Sequence, residues 1–262
     1  MDNGLEVNAS SQPKDCSKKI RILIEYDGEG FRGWQTQPGG RTIQSEIETV
    51  VERVVGERAV VFGSSRTDAG VSAKGQVAHF VVQSQWAAHN WRNILNHYLP
   101  DTIRILEAEV VPFEFHSQRN VYSKVYEYRI LNRTFDSALD RRVYFFPGSL
   151  DWKAMEEAAQ AFVGEHDFRA FCAAKSAAKT SVRRIYRFDL IREGEDYYRF
   201  EIEGSGFLKQ QVRTMVGTLV ELGERKRAKS DLKAILASRD RRRAGRTAPA
   251  KGLCLVKIQY CH

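Results

Sequence analysis

An α+β fold, with a sheet at least partly antiparallel and two halves of similar plan, is what the apolar pattern of this chain predicts. Strand-period alternation runs from Ile20 to Tyr26 and again from Lys124 to Asn132. Helical stripes stand between such segments, and the two patterns interleave to the C-terminus with no self-similar repeat.

The elements follow in order. "KIRILIEYDG" sets Ile20, Ile22, Ile24 and Tyr26 against Arg21, Leu23 and Glu25, a strand with one buried face that the turn "DGEG" ends. "RTIQSEIETVVERVVG" places Ile43, Ile47, Val50, Val51 and Val54 on one helical stripe, with Thr42 as N-cap and Gly56 as stop. "AVVFG" and "GQVAHFVVQ" read as strands on either side of "RTDAG", which makes that segment a loop. "WRNILNHYLP" is a short helix closed by Pro100, and "TIRILEAEVV" is a strand.

"KVYEYRILN" puts Tyr126, Tyr128 and Ile130 on one face of a further strand. An irregular stretch, "ILNRTFDSALDRRVYFFPGSL", joins the halves. A second round opens with the helix "DWKAMEEAAQAFVG", striped by Trp152, Met155, Ala159 and Phe162. Two strands follow around the turn "EGED", then the helix "FLKQQVRTMVGTLVELG", which turns Leu208, Val212, Met215, Val216, Leu219 and Val220 to the core and ends at Gly223. A short helix from near Ser230, the basic loop "SRDRRRAGRTAPAKG" and the strand "LCLVKIQY" complete the chain.

At 262 residues and 42% hydrophobic content the chain can bury a sizeable core. The expected division is a flexible polar tail at 1–19, an N-terminal half at 20–115 carrying the RTDAG loop, and a C-terminal half at 116–262. No apolar run is long enough for a membrane span, and the polar start "MDNGLEVNASSQPKDCSKK" has neither a signal nor a transit character, so a cytoplasmic protein is expected. Cys16, Cys172, Cys254 and Cys261 lack metal or disulfide spacing. The six histidines form no HxxxH or HExxH pattern, and no phosphate-cradling glycine loop occurs, so neither metal nor cofactor is expected. A net charge of +8 favours a polyanionic partner, because neutralised phosphates release condensed counterions.

Asp68 of "GSSRTDAGV" admits two readings. An Asp close before a Gly is ordinarily a turn device whose carboxylate accepts a backbone N–H two residues on. Arg66, however, leaves an extended backbone on the same side, where its guanidinium would pair with the carboxylate and keep it ionised, as a nucleophile requires.

"EYDGEGFRGWQTQPGGRTIQ", "SRTDAGVSAKGQVAHF", "FHSQRNVYSKVYEYRI", "GEHDFRAF", "FLKQQVRTMVGTLVELG" and "TAPAKGLCLVKIQY" stand in this order between Ile20 and Tyr260. Together they resemble the tRNA pseudouridine synthase A family. The resemblance implies two ferredoxin-like halves sharing a central, largely antiparallel sheet with a cleft between them. It implies that Asp68 is the nucleophile that isomerises uridine to pseudouridine at positions 38, 39 and 40 of the tRNA anticodon stem-loop. Tyr126 would stack on the flipped base and help remove its C5 proton, Arg66 would pair with Asp68, and Arg213 would be the active-site basic residue. A homodimer is implied as well. The family's usual Gly before the Arg is Ser65 here, and its usual His after Gly-Val is Ser72.

For the RNA surface the candidates are Arg32, Arg41, Lys74, the run Arg225 to Lys229 and the run Arg239 to Arg246. Other functions remain open at this point: a noncatalytic RNA-binding or RNA-folding protein on the same scaffold, or a synthase acting on another RNA.

Overall fold

The computed structural model describes residues 17–84, 86–174 and 178–261. Of the expected tail, residues 1–16, with Cys16, lie outside them; Ser17 to Lys19 already belong to the first strand. Among the described residues, ten strands form one sheet flanked by five α-helices.

The N-terminal half comprises β1 (Ser17–Tyr26), α1 (Ile43–Val55), β2 (Phe62–Gly63), β3 (Ser72–Gln83), α2 (Ala88–Tyr98) and β4 (Ile103–Val111). The alternation of β1 is met in full: Ile20, Ile22 and Ile24 are completely buried. Thr42 caps α1 through a reciprocal box with Ser45, and Gly56 closes the helix at φ 77°, a left-handed conformation that glycine adopts without strain. "AVVFG" is a strand only over its last two residues. The Val61 N–H goes to Glu48 Oε1 of α1, 3.0 Å, and so is withdrawn from any ladder.

The C-terminal half comprises β5 (Val121–Asn132), β6 (Tyr144–Phe146), α3 (Trp152–Ala159), β7 (Gly164–Asp167), β8 (Val182–Arg192), β9 (Tyr197–Gly204), α4 (Gln211–Gly223), α5 (Asp231–Ser238) and β10 (Leu253–Tyr260). Three expectations need correction. The helix at 151–164 tightens to a 3₁₀ turn after Ala159, and Gly164, at φ 106°, turns the chain into β7. The joining stretch contains β6, parallel to the end of β5. The helix expected from Phe207 begins at Gln211, because Gln210 stands at φ 61° and breaks the helical path.

Strand order is β4-β1-β3-β10-β5-β9-β8-β7, and every pairing on this path is antiparallel except β3 with β10. The last strand is therefore the seam between the halves. Leu255 of β10 stands opposite Ala73 of β3 on one side and Tyr126 of β5 on the other. That register carries the start of β3, and the RTDAG loop before it, to the level of Tyr126.

Cores form on both sides of the seam. Phe80 packs edge-on to Trp91 in the first half, and Phe162, Phe168, Phe171, Phe188 and Phe200 interlock in the second. The reverse face of the C-terminal sheet is polar: Arg187 and Arg199 pair there with Glu201, and Arg187 also with Glu203.

Candidate active site

The RTDAG loop is held from both sides by backbone. Trp34 N donates to Thr67 O at 3.1 Å and Gly70 N to Phe31 O at 3.2 Å. Gly33, at φ 88°, lies so close that a Cβ there would stand 2.5 Å from Thr67 O. The Val71 N–H returns to Asp68 O, 3.1 Å, with Gly70 at φ 76°, which is a β-turn of the kind that needs positive φ at its third position.

Asp68 thus begins a turn through its main chain, while its side chain is left for other work. Among the described residues its carboxylate accepts no backbone N–H. It meets Arg213 instead: Nη1 to Oδ2 is 3.3 Å, with side chains 14% and 17% exposed for the arginine and aspartate. The sequence reading paired Asp68 with Arg66, and this is corrected. Arg213 holds the carboxylate instead, and Arg66 is exposed with no hydrogen bond or ion pair among the described residues.

Arg213 sits in the first turn of α4. Its Nε donates to Ala248 O at 2.8 Å, and its own carbonyl accepts from Ala248 N at 3.0 Å. One planar guanidinium therefore fixes the 246–248 segment and the Asp68 carboxylate together. Gly217, one turn further along α4, permits this approach, since a Cβ there would fall 1.9 Å from Arg246 O. Gly217→Ala is expected to push that segment off the helix, cost about 1–3 kcal/mol by overpacking, and lower Tm by roughly 2–4 °C per kcal/mol. Thermal unfolding checks this; an unchanged Tm would contradict it.

Tyr126 is 6% exposed. Its ring meets Phe207 edge-on, centroids 5.2 Å apart, and its hydroxyl lies 2.8 Å from Ser65 Oγ. Burial pushes the phenol's pKa up to about 12; the Ser65 hydrogen bond opposes this and the nearby Asp68 charge adds to it. Two residues earlier on the same face, Lys124 donates to Ser64 O at 2.6 Å, and burial, with Arg183 nearby, lowers its pKa to about 8. Asp68, Arg213 and Tyr126, drawn from a loop, a helix and a strand, converge on one place. They offer a carboxylate with a cationic partner and an aromatic surface beside it, the equipment for covalent attack on an electrophilic ring or sugar carbon.

The expected RNA contacts are more scattered. Arg32 Nη1 donates to Gly39 O at 2.7 Å, bracing its own loop, and Arg41 grips Glu46 through two bonds. Lys74 pairs with Glu127 at 2.6 Å. Glu127 follows Tyr126 directly in β5 and so points to the opposite face, which places Lys74 on the reverse of the sheet from the candidate site. In the basic runs, Arg227 pairs with Glu221, Lys229 with Glu157, Arg239 with Asp167, Arg242 with Asp240 and Arg246 with Glu224. A cavity of about 800 Å³ lined by Arg169, Lys179, Arg239, Arg241 and Arg242 does not include Asp68.

Sequence reasoning missed the hydroxyl of Ser65 and the amide of Gln76 behind it. Ser72, the other departure from the family pattern, accepts from Gly28 N at 3.0 Å and so ties β3 to the first turn. Cys172, Cys254 and Cys261 are free thiols. Among the described residues no three His, Cys, Asp or Glu side chains are grouped for a metal ion, and no helix is long and apolar enough to cross a membrane.

The sequence model of the tRNA pseudouridine synthase family matches residues 22–118 and 158–261, more than half of the chain. A relative from Citrifermentans bemidjiense, tRNA pseudouridine synthase A, is 44% identical over 93% of this chain and 98% of its own. A protein of the same name from Acetivibrio thermocellus is 44% identical over 93% of this chain and 100% of its own. Among solved structures, a crystal structure of an archaeal box H/ACA sRNP complex aligns with 92% of this chain and 47% of that chain, at 10% identity and a TM-score of 0.37.

Proposed function

The chain belongs to the tRNA pseudouridine synthase family, and on that premise we propose that it isomerises uridine to pseudouridine at positions 38, 39 and 40 of the tRNA anticodon stem-loop, with Asp68 as nucleophile. The observation that carries the reading is the state of the Asp68 carboxylate, which is held by Arg213 and engaged by no backbone amide among the described residues. A carboxylate serving only the turn would be bound to that turn.

The target uridine leaves its helix and lies against the Tyr126 side chain, whose ring offsets part of the few kcal/mol lost in unstacking. Asp68 attacks either C6 of the base or C1′ of the ribose, both electrophilic. The base separates from the sugar, turns, and rejoins it through C5. The C5–H bond then breaks and its electron pair forms the C5–C6 double bond; the pair displaced from C6 goes to N1 after attack at C1′, where Asp68 has already left as the base rejoined the sugar, or to the departing Asp68 oxygen after attack at C6, and the proton passes toward Tyr126. Arg66, exposed two residues before Asp68, meets the flipped nucleotide. Arg32, Arg41 and the exposed basic runs contribute phosphate contacts, and a second copy of the chain helps to hold the tRNA.

Mapping pseudouridine in unmodified tRNA after incubation with the protein tests this reading. New pseudouridine is expected at positions 38 to 40. Conversion confined to other positions would overturn the site assignment, and tRNA binding without conversion at any position would favour the noncatalytic alternative.

A further inference from the structure

Resting on the role given above to Tyr126, we infer that Ser65 is a positioning residue for C5 deprotonation: its hydroxyl fixes the Tyr126 oxygen and stabilises that oxygen's anionic form. The hydroxyl pair, 2.8 Å apart, is buried, and Ser65 is the hydrogen-bond partner of the Tyr126 hydroxyl among the described residues. This contact belongs to the departure noted in the sequence, because a glycine at 65 could not make it.

The position of the Ser65 hydroxyl is set by its own main chain. Ser65 N donates to Gln76 Oε1 at 3.1 Å, and Gln76 Nε2 donates back to Ser65 O at 2.7 Å. Gln76 is fully buried in β3. The preceding residue is held as well, with Ser64 N on Val77 O at 2.8 Å and Lys124 Nζ on Ser64 O at 2.6 Å. The backbone carrying the hydroxyl is therefore fixed from β3 and β5, and none of these bonds uses Ser65 Oγ. Removing that oxygen leaves the frame standing.

The chemistry asks for such a group. Tyr126 sits in surroundings that disfavour its charged form, and the Asp68 carboxylate nearby adds to the difficulty. A phenol oxygen that is to take a proton from carbon must first give up its own to water. A hydroxyl donating to that oxygen lowers the cost, and hydrogen bonds to charged groups are the stronger kind. In the step itself the C5–H electron pair becomes the C5–C6 double bond, the pair displaced from C6 passes to N1 or to the departing Asp68 oxygen, the proton moves to the phenolate oxygen, and neutral Tyr126 is restored.

The test compares wild type, Ser65→Ala, Tyr126→Phe and the double variant on tRNA carrying hydrogen or deuterium at uridine C5. Ser65→Ala is expected to lower kcat about ten-fold, with KM for tRNA unchanged and the C5 isotope effect on kcat increased. Ser65→Gly should behave alike, and the double variant should be no slower than Tyr126→Phe. Wild-type rate and isotope effect in Ser65→Ala would overturn the inference, as would an equal loss whether or not the Tyr126 hydroxyl is present. Tyr126→Phe turning over at the wild-type rate would instead remove the role of Tyr126, and the inference with it.

Discussion

Asp68→Asn is expected to lose turnover by roughly 10⁴-fold or more while the protein stays folded. The amide keeps the size of the carboxylate and leaves Arg213 an oxygen acceptor, so the loop and helix stay in register. What disappears is the negative oxygen that forms the covalent bond. Because Asp68 makes no other side-chain hydrogen bond or ion pair among the described residues, its loss has no structural route to so large an effect. Affinity for tRNA, which rests mainly on phosphate contacts elsewhere, is expected to persist. Turnover by Asp68→Asn near the wild-type rate, measured by pseudouridine formation, would take Asp68 out of the chemistry.

Arg213→Ala should rank second, with kcat falling about 10²- to 10³-fold, the scale of losing one preorganised charge-stabilising group. Two connections go at once: Nη1 to Asp68 and Nε to Ala248 O. The carboxylate loses its orientation and the 246–248 segment loses an anchor. Arg213→Lys separates these contributions, since a single ammonium retains charge but not the fixed fork that serves both partners. It should recover part of the loss and remain at least about ten-fold below wild type. Steady-state kinetics with unmodified tRNA check both variants; an unimpaired Arg213→Ala would show that Asp68 needs no partner.

Much of the fold was legible because local periodicity and burial agree. The alternation in β1, the stripe and caps of α1 and the aromatic face of β5 all appear where the residues place them. Failures arose where a side chain or an unusual backbone angle overrides periodicity, as Glu48 does at Val61 and Gln210 does before α4. The site divides in the same manner. Asp68, Tyr126 and Arg213 carry motif signals, but the partner of Asp68 lies 145 residues away and that of Tyr126 lies 61 away. No local spacing encodes such contacts. Arg66 was assigned to Asp68 because neighbours in sequence are visible and partners across a fold are not. Charge was equally visible in the basic runs, but the carboxylates that occupy many of their arginines, such as Glu221 and Glu224, come from α4 and its C-terminal cap.

Tritium release from uracil C5 tests the covalent role of Asp68 most directly. Unmodified tRNA labelled at that carbon is incubated with wild type and with Asp68→Asn, and label entering water is followed against time. Release in step with pseudouridine formation by wild type, and none by the variant while it still binds the tRNA, is the expected result. Equal release by both proteins would contradict it.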